Sequence, residues 1–366
     1  MKNGKLQIGF VGCGGIANQK HLPALLKLGS LCEMVAFCDI IEERAKNAAQ
    51  KFGIANAKTY TDYKELLNDD NIDVIHVLTP NVTHSQITID AFDSGKHVMC
   101  EKPMSHSAAE AKKMIDAAKR SGKKFTIAYQ NRFRPEVQAL NKACREGALG
   151  DIYFAKAHAV RRRAVPTWGV FQNKDLQGGG PLIDIGTHAL DLTLWMMDNY
   201  MPKNVTGSVF FKMANKCEGN LWGPWDSKTF KVEDSAFGFI NMSNGATIFL
   251  EASWVLNTTA VREASTTLCG TEAGAEIISG IGVENGLTMN TVKYGKLFEE
   301  KLSPGSSVVY FEGANEGSPA DIEARQWLKS IIDDTQSLVL PEQAFVVTQI
   351  LEAIYKSAQT GKMVEF

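Results

Sequence analysis

The chain has 366 residues, which at about 150 residues per domain corresponds to two domains. Hydrophobic residues make up 44% and charged residues 22%, fractions that exclude a disordered, collagen-like or coiled-coil chain. The 39 basic and 41 acidic residues give a net charge of -2, so no basic excess predicts a nucleic acid or membrane partner.

The cysteines and the first residues bear on location. The seven cysteines are scattered and form no C-x-x-C motif. Met1–Lys5 leads directly into an apolar run, without a long apolar leader or a small-residue cleavage site. No stretch approaches 18 uninterrupted apolar residues. We therefore expect a cytoplasmic protein with reduced thiols.

Short apolar runs alternate with helix-period segments over residues 1–130. The runs are Leu6–Val11, Met34–Cys38, Val74–Leu78, His97–Cys100 and Phe125–Ala128. The helical segments are Ile16–Leu28, Glu42–Phe52, Gln86–Phe92 and Ala108–Ser121. This α/β alternation predicts a doubly wound parallel sheet, a Rossmann domain spanning 1–130.

The first run ends in a glycine turn, G-x-G-x-x-A, between a predicted strand and a predicted helix. Gly12 allows the tight turn and Gly14 lets a pyrophosphate approach the backbone. The helix N-terminus then offers free N–H groups to phosphates. The alternative is a glycine-rich turn without a ligand. We expect contacts to a dinucleotide from Gly12, Gly14, Gly15 and Ile16.

Polar residues follow the next three runs, at the edge of a parallel sheet where ligands bind. Asp39 can accept hydrogen bonds from ribose hydroxyls and would repel a 2′-phosphate, which favours NAD over NADP. A lysine at the end of a buried strand is costly unless it is paired or functional, although a surface loop is the alternative. The remaining candidates for cofactor contact are Thr79, Pro80, Asn81, His84, Glu101 and Lys102. Asn81 could equally cap the following helix.

After residue 130 the pattern changes to strands with short turns. The candidates are Ile152–Val160, Val205–Met213, Ser235–Met242, Ala246–Ser253, Ser265–Gly270, Ala275–Ile278, Leu287–Val292 and Gly295–Leu302. Asn244-Gly245 is typical of a hairpin turn. We predict a second, α+β domain spanning 131–366 with a large open, mainly antiparallel sheet. A C-terminal helix over 341–360 is expected to pack back on the core.

A polar stripe interrupts an apolar helix that begins after three glycines and Pro181. Asp184 and His188 are four residues apart and share one helical face. Three explanations remain open: a structural hydrogen-bond network, a metal site, and an acid/base pair facing a cleft.

These motifs, in this order, resemble the glucose–fructose oxidoreductase/inositol dehydrogenase (Gfo/Idh/MocA) family over essentially the whole chain. The resemblance implies that Lys102 lies beside the nicotinamide and the reacting oxygen, and that Asp184 and His188 act on the substrate hydroxyl. It argues against a metal, because Lys102 supplies positive charge. It also implies a homodimer, tetramer or higher homo-oligomer formed through the exposed face of the second sheet.

The resemblance further implies that a basic and aromatic stretch borders both ligands. We expect Trp168 at the cofactor and the substrate, and His158 and Arg163 at the substrate, although consecutive arginines are also typical of a solvated loop. The long loop Lys216–Phe230, with Trp222 and Trp225, could line the sugar site or contact another subunit.

The combined hypothesis is an NAD-dependent dehydrogenase that oxidises a ring hydroxyl of a sugar or glycoside, for example at C3, or of a cyclic polyol. An inositol dehydrogenase is the nearest alternative. A glycosidase-like enzyme would use tightly bound NAD for transient oxidation. A Schiff-base enzyme would use Lys102 covalently, and a dinucleotide sensor would need no proton acceptor.

Overall fold

The structure, a computed structural model, describes residues 1–302 and 317–366. The chain forms two compact units: unit 1 holds Met1–Phe133 and 317–345, and unit 2 holds 134–302 and Val346–Phe366. The predicted boundary after residue 130 lies close to this division. Segment 317–345 differs, because its Trp327 and Leu328 join the hydrophobic core of unit 1 rather than the second domain.

The described residues contain strands and helices with the following bounds. The strands are β1 Leu6–Val11, β2 Cys32–Cys38, β3 Lys58–Tyr60, β4 Val74–Val77, β5 His97–Cys100, β6 Phe125–Ile127, β7 Ile152–Val160, β8 Pro202–Phe210, β9 Ser235–Met242, β10 Thr247–Ser253, β11 Arg262–Gly270, β12 Ala273–Gly280, β13 Val283–Lys293, β14 Lys296–Lys301 and β15 Val364–Glu365. The helices are α1 Leu22–Leu26, α2 Glu42–Phe52, α3 Tyr63–Leu67, α4 His84–Asp93, α5 Ala108–Ser121, α6 Pro135–Arg145, α7 Lys174–Gln177, α8 Thr187–Met197, α9 Pro319–Ile332 and α10 Pro341–Thr360. Two π-helical turns cover Ala17–His21 and Leu182–Gly186, and two 3₁₀ turns cover Asn81–Thr83 and Gln130–Phe133.

Unit 1 is built on a parallel sheet in the order β3-β2-β1-β4-β5-β6. Each residue of β1 is buried, as expected for a strand covered by helices on both faces. The predicted doubly wound domain is confirmed. Strand β3 escaped prediction because two of its three residues are exposed and it carries no apolar run.

Unit 2 is built on a mixed sheet in the order β14-β13-β12-β11-β7-β10-β9-β8-β15. Strands β7 and β10 pair in parallel, and the other pairs are antiparallel. The predicted hairpin is confirmed: Gly245, between β9 and β10, has φ +93°, which glycine tolerates without strain.

Helix α8 covers one face of this sheet. Thr193 on α8 shares a 2.8 Å hydrogen bond with Thr266 on β11, whose register partner is Ala157 on β7. Ala157 is fully buried there, whereas the next residue, His158, points to the opposite, open face. Helix α10 also packs on the sheet, where Ile354 lies against Gly207 and Gly238.

Candidate active site

The glycine turn follows β1 with the geometry that its motif predicts. Gly12 has φ +95°, and a Cβ there would lie 2.6 Å from the carbonyl oxygen of Leu78, so only glycine fits. A Cβ on Gly14 or Gly15 would meet no atom within 4 Å, which leaves open space above the turn. Ile16 is exposed there. The turn therefore offers a backbone cradle of the kind that a pyrophosphate requires.

Asp39 follows β2 and lies directly beside this turn. Its Oδ2 accepts a 2.9 Å bond from the backbone N–H of Cys13, and its Oδ1 accepts one of 2.9 Å from Ile41. A carboxylate has about four acceptor positions, so both oxygens can also accept from ribose hydroxyls. The turn and Asp39 together fit NAD.

The residues after β4 divide into accessible and buried ones. Thr79 and Pro80 are half-buried, and the Thr83 hydroxyl donates to the Thr79 hydroxyl at 2.7 Å. His84 is completely buried, and its ring nitrogens lie 2.9 Å from the carbonyl oxygens of Thr79 and Pro103. Its burial does not support the predicted cofactor contact. His84 instead holds two loops together. Asn81 is also buried.

Glu101 and Lys102 follow β5 and have different surroundings. Glu101 is buried, and its Oε1 accepts 2.9 Å bonds from Lys20 Nζ and His21 Nε2. Its Oε2 accepts a 3.0 Å bond from the backbone N–H of Lys102. These bonds do not support the predicted cofactor contact of Glu101. Lys102 is half-buried.

In unit 2, Asp184 and His188 lie on consecutive turns of a helical segment that is otherwise buried. Both are half-buried, whereas Ile183, Ile185 and Ala189 are buried. Asp184 belongs to the π-helical turn Leu182–Gly186, a distortion that is frequent at functional sites. The sequence predicted a regular helix at this point, because hydrophobic spacing does not distinguish one π turn from an α turn.

Trp254 is a partner of Asp184 that the sequence analysis missed. Its indole Nε1 donates to Asp184 Oδ2 at 3.0 Å, and its side chain is fully buried. The tryptophan follows β10 directly, so the sheet fixes its position. A buried donor of this kind fixes the orientation of one carboxylate oxygen.

The three consecutive arginines differ in burial: Arg161 is buried, Arg162 is exposed and Arg163 is half-buried. Arg161 is buried, donates from Nε to Glu263 Oε2 at 2.7 Å and lies over the ring of Trp222 at 5.4 Å. Burial alone would lower the pKa of Arg161, but the negative charges of Glu263 and Asp184 outweigh burial and raise it. The guanidinium therefore stays charged. Arg161 was not singled out from the sequence, because three consecutive identical residues carry no signal that separates one from another.

The guanidinium of Arg163 is engaged in hydrogen bonds within the protein. Its guanidinium donates to the carbonyl oxygen of Lys216 at 2.7 Å and to Asn257 Oδ1 at 3.2 Å. These contacts hold the long loop and do not support the predicted substrate contact.

Trp168 lies at the rim of a cleft with a volume of about 830 Å³, which we call the aromatic cleft. The cleft is lined by Thr167–Val170, Gln172–Asp175, Pro224–Asp226, Lys228, Thr229 and Lys231. Trp168 is 51% exposed and meets Trp222 edge to face at 4.8 Å between ring centroids. Trp225 is buried and donates to the Ala214 carbonyl oxygen at 2.8 Å, so it stabilises the loop.

His158 is separated from the other candidates of its unit. Its Nδ1 lies 2.6 Å from Glu251 Oε1 and its Nε2 lies 3.0 Å from Thr267 Oγ1, on the open face of the sheet. Helix α8, which begins with the turn of His188, covers the other face. His158 and helix α8 therefore lie on opposite faces of the sheet, because alternate strand residues point to opposite faces. The contact of His158 with the substrate stays a prediction.

Within 1–302 and 317–366, no group of three or more His, Cys, Asp or Glu side chains is placed to hold a metal ion. In the same parts of the chain, no helix combines the length and the apolar character needed to span a bilayer.

Comparisons with known proteins agree with this geometry. Residues 6–129 match the profile "Oxidoreductase family, NAD-binding Rossmann fold", and residues 137–276 match "GFO/IDH/MocA C-terminal domain". The chain is 34% identical to D-glucoside 3-dehydrogenase of Escherichia coli K12 over 369 residues, which cover 100% of this chain and 99% of that protein. It is 27% identical to levoglucosan dehydrogenase of Pseudarthrobacter phenanthrenivorans over 270 residues, 68% of this chain and 67% of that protein.

A solved structure has the same fold. Levoglucosan dehydrogenase in complex with NADH and levoglucosan aligns with a TM-score of 0.83 at 24% identity, over 99% of both chains. The predicted NAD cofactor and oxidoreductase class are confirmed by the N-terminal match. The chain belongs to the Gfo/Idh/MocA family of oxidoreductases.

Proposed function

We propose that this NAD-dependent enzyme oxidises a ring secondary hydroxyl of a glycoside, with C3 of a pyranose as the preferred position. The observation that carries the proposal is Asp184, held by Trp254 and followed one turn later by His188. This arrangement supplies a proton acceptor with a fixed neighbour, which oxidation of an alcohol requires. The full-length similarity to D-glucoside 3-dehydrogenase supports the substrate class.

The proposed roles follow from the chemistry of each side chain. Bound NAD supplies the carbon that accepts a hydride. His188 takes the hydroxyl proton, because an imidazole titrates near neutral pH. Asp184 orients His188 or binds a neighbouring hydroxyl. Lys102 stabilises negative charge that develops on the reacting oxygen, a contribution of about 3 kcal/mol where water is excluded.

The aromatic cleft favours a glycoside over a free monosaccharide or an inositol. Two series of side-chain contacts connect the aromatic cleft to Asp184. One passes from Trp168 through Trp222 to Arg161, whose charge Asp184 stabilises. The other passes from Trp225 through Phe230 to Trp254, with centroid distances of 5.8 and 6.5 Å.

The same side chains thus connect the wall of the cleft to Asp184, and we propose that the cleft holds the substituent of the sugar. The exposed ring of Trp168 offers the flat apolar surface on which a sugar or an aromatic aglycone stacks.

The test is absorbance of NADH with the purified enzyme, NAD, and a matched panel of glucose, methyl glucoside, a disaccharide and myo-inositol. We expect the highest kcat/KM with a glycoside, and a 3-keto product by NMR. A clear preference for inositol would contradict the proposal. Cofactor that is released only on denaturation, with no net NADH, would instead indicate transient oxidation.

We further propose a cytoplasmic homo-oligomer formed through the open face of the second sheet. Phe210, Phe237 and Phe239 lie together there, and Phe239 is 46% exposed, an apolar surface typical of subunit contacts. Light scattering of the protein as it elutes from a size-exclusion column would give the subunit number, and a monomer would contradict the assembly.

The cysteines support the proposed location. All seven are free thiols, as is typical of a reducing compartment.

A further inference from the structure

We infer that Glu101 is a positioning residue for Lys102, and that Lys20 and His21 hold it in place from the segment that follows the glycine turn. The inference rests on the proposed role of Lys102 in the reaction. It adds a function to a group of buried charges that the proposed mechanism does not use.

The group is a buried network of ionisable side chains within unit 1. Lys20 Nζ lies 2.9 Å from Glu101 Oε1 and 3.0 Å from Glu323 Oε2. His21 Nε2 lies 2.9 Å from the same Glu101 oxygen, and His21 Nδ1 lies 3.3 Å from His76 Nδ1. The five side chains are at most 8% exposed. Burial of charged groups costs free energy even when they are paired. The presence of several ionisable side chains at this buried position therefore calls for an explanation.

The protonation states follow from the geometry. Burial and then the charge of Lys20 lower the pKa of His21, so the ring is neutral. A neutral His21 that donates from Nε2 to Glu101 has an unprotonated Nδ1, which must accept from His76 Nδ1. His76 Nε2 is then an acceptor, and this atom has no hydrogen-bond partner among the described residues. Glu101 is ionised, because Lys20 and His21 outweigh the burial that would raise its pKa.

The ionised Glu101 contacts Lys102 directly. Its Oε2 accepts from the Lys102 backbone N–H at 3.0 Å. On the other side of Lys102, the carbonyl oxygen of Pro103 lies 2.9 Å from His84 Nδ1. The backbone is thus fixed on both sides of the lysine, which restricts where its side chain begins.

The other end of the network lies on the dinucleotide-binding segment. Lys20 and His21 are the last residues of the π-helical turn Ala17–His21, which directly follows the Gly12–Ile16 turn. A change in that turn on cofactor binding would reach Glu101 through two direct bonds. Glu101 therefore connects the segment that follows the glycine turn to the backbone of Lys102.

The test compares Glu101→Gln with a matched control, Glu323→Gln. Each variant removes one of the two carboxylates bonded to Lys20, but only Glu101 contacts Lys102. We expect Glu101→Gln to lower kcat about 10- to 100-fold, the range for a displaced catalytic group. We also expect KM to change less than kcat, because Glu101 contacts the backbone of Lys102 and is not itself proposed to contact the substrate. Glu323→Gln should change neither.

Equal losses of kcat in the two variants would overturn the inference and leave Glu101 a purely structural role. If Glu101→Gln does not fold, Glu101→Asp keeps the negative charge but shortens the side chain by one methylene group, and wild-type kcat in that variant would also overturn the inference.

An NMR measurement that does not depend on catalysis distinguishes a failure of this inference from a failure of the proposed function. The ¹³C chemical shift of methylated Lys102, assigned with Lys102→Arg, should change in Glu101→Gln and stay unchanged in Glu323→Gln, because only Glu101 fixes the backbone of Lys102. A wild-type enzyme that oxidises no member of the panel refutes the proposed function, whereas an unmoved Lys102 resonance refutes the link to Glu101.

Discussion

His188 and His158 are two histidines of one unit that the structure separates by a sheet. His188 begins the first turn of α8, and His158 lies on the open face with Glu251 and Thr267. We expect His188→Ala to lower kcat by about 10² to 10⁴, the contribution of a general base, while NADH binding measured by fluorescence is unchanged. His158→Ala is the control and should retain turnover. Equal activity in the two variants would refute the assignment of His188.

Trp254 and Trp225 are buried tryptophans that each donate one indole hydrogen bond. Trp254 donates to the Asp184 carboxylate, whereas Trp225 donates to a backbone carbonyl oxygen. We expect Trp254→Phe to reduce kcat about 10- to 100-fold, because a bond to a charged group contributes about 1.5 to 3 kcal/mol and about 1.4 kcal/mol corresponds to a factor of ten. Trp225→Phe should lower stability without that loss of kcat. Steady-state kinetics and urea denaturation of both variants distinguish the two effects.

At the scale of elements, two of the three glycines before Pro181 are required by close packing. A Cβ on Gly179 would lie 2.1 Å from the Tyr355 hydroxyl, and one on Gly180 would lie 2.3 Å from the Glu233 carbonyl oxygen. The buried Glu233 accepts from the backbone N–H groups of Gly180 and Leu182 at 2.9 and 3.2 Å. The glycines therefore allow close packing at the start of the segment that carries Asp184.

Tyr355 on α10 completes this site by donating to Glu233 Oε1 at 2.7 Å. We expect Tyr355→Phe to reduce the free energy of unfolding by about 1 to 3 kcal/mol, because it leaves a buried carboxylate with one donor fewer. Urea denaturation measures the loss. Tyr153→Phe, at a 55% exposed position, is the control and should change stability by at most about 0.5 kcal/mol. Similar values for the two variants would contradict the role of the buried bond.

Sequence periodicity predicted elements well where a long apolar pattern exists. The bounds of β7, β9, α2 and α5 agree with the structure residue for residue. The π turns were not predicted, because one added residue per turn leaves the spacing of apolar residues almost unchanged. Helix α9 was also missed, although Ser318 and Asp321 form a capping box, a signal that the sequence carries.

At the scale of the molecule, the order of motifs along the chain predicted the family, the fold and NAD. The same order could not predict partners that are distant in sequence. Lys20 and Glu323 are 303 residues apart, and only the packing of α9 on unit 1 brings them together. Trp254 and Asp184 are 70 residues apart, and neither belongs to a motif that names the other.

Glu323 makes the stability of the molecule depend on pH. Burial raises its pKa to about 7, although Lys20 opposes the shift. Between the unfolded value of 4.5 and about 7, the folded state binds one proton more than the unfolded state, so stability falls as pH rises. The slope is about 1 kcal/mol per pH unit.

The Glu323→Gln variant tests this dependence. Its neutral amide resembles the protonated carboxyl group, so its free energy of unfolding should lack this slope. The weaker contact to the charged Lys20 lowers that free energy by an amount that does not depend on pH. Urea midpoints of both proteins at pH 5, 6, 7 and 8 should therefore converge or cross as pH rises, whereas a constant difference would show that Glu323 is ionised throughout this range.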